Sequence, residues 1–236
     1  MRKIKNIFLS LGIIALCSPS CFSLIRDVRH DIKVRWIEKN SCWVTESRTI
    51  EPQGIVIHST ATPGTMAQRF QKSWNTLKPA GREVAVHAFV DDKDIVQCLP
   101  WCLRGWHCGG TANGTHIGIE MCEPSGIVYN ENRSKIISYP RTPEIRTYFN
   151  HTLKNMVDLC AYLVEQFDID IDDPNAIVCH QEGYQKGIAS NHADVLHWWP
   201  WHGVTMDMFR DLVKRTLADD STIIYDFDVL PAPIPV

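Results

Sequence analysis

Apolar and polar positions fall along this chain in patterns that separate strands from helices. Residues 55–57 (Ile-Val-Ile) and 176–178 (Ala-Ile-Val) are short β-branched runs that lead into His58 and His180. Such runs read as buried strands whose ends open onto a loop. Residues 84–90 alternate as a strand, 91–94 (Asp-Asp-Lys-Asp) make a tight turn, and 95–99 return as a hairpin partner. Residues 117–122 form another strand. After Thr142, an N-cap followed by proline at the first helical position, Ile145, Phe149, Leu153, Met156, Cys160, Leu163 and Phe167 recur at offsets that define one buried helical face. Further helices are predicted over 66–77 and 205–218. Strands and helices mixed in this order predict an α/β fold, a central mixed β-sheet flanked by helices.

The ends of the chain lack that order. Residues 22–50 show no clean period and read as an N-terminal extension before a domain spanning 51–218. Residues 219–236 turn acidic and then proline-rich, which reads as a loose tail. Residues 1–6 are basic, 7–17 apolar and 18–23 mostly small, the pattern of a signal peptide over 1–21 and too short for a membrane-spanning helix. The protein is therefore expected to be exported, to the periplasm, cell envelope or exterior. Cys21 is a candidate lipid-anchor position, although Ser18 stands where leucine is usual.

Composition adds limits. A chain 44% hydrophobic and 22% charged is ordinary for a globular protein, and a net charge of −3 gives no sign of a nucleic-acid-binding surface. Export would place the cysteines in an oxidising compartment, where a pair among Cys98, Cys102 and Cys108 is expected. The seven beyond Cys21 leave at least one unpaired. Cys122, Cys160 and Cys179 read as small buried hydrophobes.

The candidate chemistry lies in His58, His180 and the run His192-Ala193-Asp194. Two imidazoles delivered by strand ends, with a third ligand from a loop, suit an open tetrahedral Zn²⁺ site that keeps one position for water. That is a hydrolytic arrangement. The cysteines form no CxxC pairs and the histidines lack finger spacing, which argues against a structural zinc module.

These segments also resemble the type 2 N-acetylmuramoyl-L-alanine amidases, a family related to the peptidoglycan-recognition proteins. The resemblance runs from about Gly54 to Val213 and rests on IVIHSTATPG, VHAFVDDKDIVQCLP, RGWHCGG and THIGIEMCE, in that order. It implies a single zinc-dependent catalytic domain that cuts the amide between the lactyl group of muramic acid and L-alanine. Its partner would be peptidoglycan or a muropeptide, and a monomer is expected. An amide needs an activated nucleophile, a polarised carbonyl and a proton for the leaving amine, and Glu120 is the candidate general acid–base. A muropeptide-binding protein of the same fold is the rival reading, and retention of Glu120 argues for catalysis.

The third ligand departs from the family pattern, because the loop after His180 is longer and lacks Pro-Gly. Two alignments remain open. In one, Asp194 is the ligand and His192 stabilises the oxyanion; in the other, His192 coordinates and Asp194 orients a ring N–H. The first is preferred, giving His58, His180 and Asp194 as metal ligands and Glu120 and His192 as catalytic. His87, on the hairpin strand, is expected near the metal or the substrate, His107 is expected to shape the cleft, and Trp106 and Trp199 are expected to stack on substrate.

Overall fold

The computed structural model describes residues 32–230 apart from 47 and 134. The segment expected to be a signal peptide, Cys21 and the proline-rich end from 231 onward lie outside the described residues. Six strands form one sheet in the order β1 (Ile32–Val34), β4 (Ile95–Gln97), β3 (Ala88–Val90), β5 (His116–Met121), β2 (Gly54–Ser59) and β8 (Ile177–Cys179). Only β3 and β4 pair antiparallel; every other neighbour is parallel. The central strands are buried along nearly their whole length, so they read as continuous apolar runs rather than alternating ones. A second, two-stranded sheet, β6 (Val128–Tyr129) with β7 (Ile136–Ser138), was not anticipated from the sequence.

Among the described residues four α-helices accompany the sheet: α1 (Ala67–Trp74), α2 (Pro143–Phe167), α3 (His180–Gln185) and α4 (Met206–Leu217). Thr142 caps α2 as expected, its hydroxyl accepting from the Ile145 N–H at 3.4 Å. The predicted face of α2 enters the main core with β2, β5, β8 and α4. A second core holds Ile37, Trp43, Leu99 and Leu103 together with α1, where Phe70 stacks on Phe89 at 5.0 Å.

The structure redraws several expected boundaries. Only residues 88–90 of the expected 84–90 strand join the sheet, and Ala85 instead bridges Trp106. His180 lies one residue past its strand and opens α3, capped by Cys179 and Glu182. Residues 32–50 do not stand apart as an extension: β1 forms the sheet edge, and Ile37, Cys42 and Trp43 are buried. Cys98 and Cys108 are both free and buried, so no bridge joins two of the trio Cys98, Cys102 and Cys108.

The acidic tail is not loose as far as it is described. Ile223, Tyr225, Phe227 and Val229 pack against the core, an alternation that composition alone had hidden. Asn150 clamps Phe227, its Oδ1 accepting from the backbone N–H at 2.9 Å and its Nδ2 donating to the carbonyl at 3.4 Å. Leu230 donates to the Trp201 carbonyl at 2.7 Å. Arg146 pairs with Asp226 and Asp228.

Under this strap lies His202, buried and stacked on Phe149 at 3.6 Å. Trp198 donates to the Tyr139 hydroxyl at 2.8 Å, leaving that hydroxyl's proton for His202 Nε2 at 2.7 Å. Burial pushes the His202 imidazole down to about 3. Above pH 6.5 the ring is neutral both folded and unfolded, so its contribution is whole. Below that, the unfolded ring takes up a proton that the folded one refuses, and stability falls as pH drops toward 3. Urea unfolding should show about 3 kcal/mol more loss between pH 7 and pH 4 in wild type than in His202→Phe. Equal acid slopes would refute this.

Candidate active site

Parallel pairing brings the chemistry together. The register sets His58 beside Glu120 across β2 and β5, and Ile57 beside Cys179 across β2 and β8. His180 follows Cys179 directly, so all three side chains emerge at the carboxyl ends of adjacent strands, where open α/β sheets place their sites. They open onto a cleft of about 880 Å³ that also takes in Asp194 and His192.

His58, His180 and Asp194 are buried and offer ligand atoms that lie within 4.8 Å of one another. His58 Nδ1 is 2.9 Å from Asp194 Oδ2 and 3.1 Å from His180 Nδ1, and His180 Nδ1 is 3.5 Å from Asp194 Oδ2. Two imidazole nitrogens and a carboxylate oxygen make a donor set suited to zinc, and tetrahedral ligands at usual Zn distances stand about 3.4 Å apart. The hydrogen bonds behind the rings also fit. His107 Nε2 donates to the His116 carbonyl at 3.3 Å, so its Nδ1 accepts from His58 Nε2–H at 3.0 Å. Ser190 Oγ donates to the Cys108 carbonyl at 3.0 Å and accepts from His180 Nε2–H at 3.3 Å. Each arrangement leaves Nδ1 of the ligand histidine as a lone pair facing the cluster, as metal-binding histidines require.

The electrostatics follow from burial and neighbours. Burial pushes the Asp194 carboxyl up, but the imidazoles of His180, His192 and His58 gathered around it outweigh that and hold it well below the usual range. Burial lowers the His58 imidazole against the opposing pull of Asp194. Glu120 is raised well above the ordinary carboxyl range by burial and by the charges of Asp194 and Glu123. Its Oε2 is buried and has no hydrogen-bond partner among the described residues. A buried, raised carboxyl beside a cluster of ligand atoms has the proton affinity that general acid–base work needs.

His192 stands at the rim, with 61% of its side chain exposed. Its ring stacks on His180 at 4.7 Å, and its Nδ1 lies 3.6 Å from Asp194 Oδ1. The neighbouring Asp194 carboxylate raises its imidazole.

Two expected substrate contacts do not reach the cleft. Trp199 is wholly buried, with its Nε1 donating to Met121 Sδ at 3.3 Å and its ring against Phe209, so it is a core residue. His87 is also wholly buried, held between the Leu103 carbonyl at 2.8 Å and the Gly118 N–H at 2.9 Å. It faces His107 at 6.0 Å and supports that ring from behind. Trp106 does line the cleft, together with Trp74.

Some supporting contacts escaped the sequence reading. The place of His107 depends on Gly118: a Cβ there would sit 2.4 Å from His107 Cγ. Ser190 had no local signal. Glu123 is fully buried, accepting from Ser59 Oγ and from the Ala61 N–H, with His197 Nε2 at 3.5 Å.

Residues 48–196, more than half of the chain, match the family model of N-acetylmuramoyl-L-alanine amidase. The chain belongs to that family. Among curated relatives, CwlH of Bacillus subtilis (strain 168) is 38% identical over 81 residues, covering 30% of this chain and 30% of that protein. Protein Ami of Listeria monocytogenes is 28% identical over 142 residues, 60% of this chain but 12% of Ami. The chain thus spans a third or less of the length of these relatives. Among solved structures, the Staphylococcus aureus hydrolase AmiA in complex with its ligand superposes with a TM-score of 0.60 at 16% identity, covering 86% of this chain and 91% of AmiA. PlyL gives 0.53 at 20% identity over 78% and 97%. Both show the same fold.

Proposed function

We propose that this protein is an exported, zinc-dependent N-acetylmuramoyl-L-alanine amidase that hydrolyses the lactyl–L-alanine amide of peptidoglycan or muropeptides. The observation that carries this reading is the juxtaposition of the His58–His180–Asp194 donor set with the buried, unpartnered Glu120 in one cleft.

In such a donor set zinc supplies Lewis-acid polarisation of a carbonyl and acidification of water to a pKa near 7. The chain's own groups do the rest. Glu120 takes the proton from the attacking water and returns it to the leaving amine, a role that its raised proton affinity suits. His192, at the rim and with its imidazole raised toward the cation by Asp194, stabilises the charge that gathers on the carbonyl oxygen as the tetrahedral intermediate forms. His107 and Ser190 hold the two ligand rings in their working tautomers. Trp106 supplies an apolar wall.

The test is incubation of purified protein with muropeptides, with added Zn²⁺ or with chelator, followed by mass spectrometry. Free stem peptide should accumulate with zinc and disappear with chelator. Intact muropeptide in both samples would leave a binding protein of amidase fold.

A further inference from the structure

His180 stands at the switch from β8 to α3, and the hold on that switch comes from a distant part of the chain. A helix of six residues gains too little from its own hydrogen bonds to stay formed. Its cap is weak as well. The Glu182 N–H donates to Cys179 Sγ at 3.5 Å, and sulfur is a poor acceptor, while the Cys179 N–H donates to Glu182 Oε2 at 3.3 Å. Arg210 of α4 supplies the grip. Its Nη1 donates to Glu182 Oε2 at 2.9 Å and to the Ile177 carbonyl at 3.0 Å, and its Nη2 donates to Glu182 Oε1 at 3.1 Å. Asp207, one turn back on α4, steadies the guanidinium at 2.6 Å. One planar group therefore holds the chain on both sides of His180. Arg210 lies beyond residue 196, where the match to the family model ends.

The same turn also holds a second residue of the donor set, because the Gln181 N–H donates to the Asp194 carbonyl at 3.1 Å. A tilt of α3 would move the His180 ring and the Asp194 backbone together, and such sites work only when their groups stay within about 0.5 Å of the required geometry. An exposed ion pair would be too weak and too mobile to prevent that tilt. The Arg210–Glu182 pair is bidentate, half-buried and anchored on a buried strand, which gives it direction as well as strength. We propose that Arg210, acting through Glu182, is a positioning residue that sets His180 and Asp194 in place for zinc. The inference rests on the zinc reading for its metal and on the clamp alone for its geometry.

The full chain would be stripped of metal and titrated with Zn²⁺ against a chromogenic chelator. Arg210→Gln should bind zinc about 10- to 100-fold more weakly than wild type, the usual cost of losing a group that orients metal ligands. Glu182→Gln can still cap α3 through its amide oxygen but cannot take the fork, so it should lose as much. The double variant should lose no more than either alone, since both break one interaction. Arg210→Lys, which keeps the charge without the fork, should fall between Arg210→Gln and wild type. Arg215→Gln breaks the pair with Asp220 on the same helix and should leave zinc affinity as in wild type. In the metal-free protein, amide hydrogen exchange at Gln181 and Glu182 should quicken in Arg210→Gln while β5 stays protected. Should Arg210→Gln fail to fold, Glu182→Gln carries the same measurements. Unchanged zinc affinity in the single variants, additive losses in the double, or equal weakening in Arg215→Gln overturns the proposal. Wild type that takes up no zinc would sink the amidase reading, and exchange would still decide the clamp: a faster rate at Gln181 upholds it and an unchanged rate overturns it.

Discussion

Glu120→Gln should lower kcat by about 10²- to 10⁴-fold while zinc content and fold stay those of wild type. The substitution is isosteric, and the carboxylate oxygen Oε2 that it alters has no hydrogen-bond partner to lose. Burial and neighbouring negative charge raise the Glu120 carboxyl well above its ordinary range, and no cation pairs with it among the described residues, so a neutral amide removes no stabilising ion pair. What it removes is the proton carrier. Steady-state cleavage of muropeptide, metal analysis and thermal melting of the same preparation would check this. Near wild-type kcat would transfer the acid–base role elsewhere, and loss of zinc would mean that Glu120 acts on the metal rather than on the proton.

The second large effect separates the two candidates for the third ligand. Asp194→Ala should release zinc to a mild chelator and cut kcat/KM on the order of 10³-fold, since several kcal/mol of charge stabilisation depend on the metal. His192→Ala should keep zinc and lose about 10²- to 10³-fold in kcat, the usual cost of removing one group that stabilises an oxyanion. The reason for the asymmetry is position. Asp194 Oδ2 lies 2.9 Å from His58 Nδ1 in a buried cluster, whereas His192 stacks outside His180 with most of its ring in solvent. If metal content falls only in the His192 variant, the two assignments must be exchanged.

Much of this site was legible because β-strands impose strict geometry. The β-branched run before His58 and the run ending in Glu120 are each continuous, and parallel pairing sets the two side by side. Asp194 was visible only as a residue type near His180, in a loop whose path local pattern does not specify. Trp199 and His87 were misplaced for a shared reason: composition shows that a side chain is aromatic or titratable, but not whether it points to the cleft or to the core. Both proved wholly buried. The edge strand β1 and the ordered strap over residues 222–230 were missed because each is held by partners far off in sequence, Ile95 for Ile32 and Asn150 for Phe227. His107 was noticed in the sequence, yet its grip on His58 depends on the missing side chain at Gly118 across the sheet.

That strap has a practical consequence for anyone trimming the protein. The stretch that matches the family ends at residue 196, before α4 and the strap have been added. A fragment cut at that limit would uncover the greasy flank of the long helix, where Phe149 and Leu153 sit, and shed Phe209 and Val213, which are sealed in the native interior. Such a piece would still carry every group assigned to the reaction, yet it should clump in solution, so its inactivity would say nothing about the chemistry.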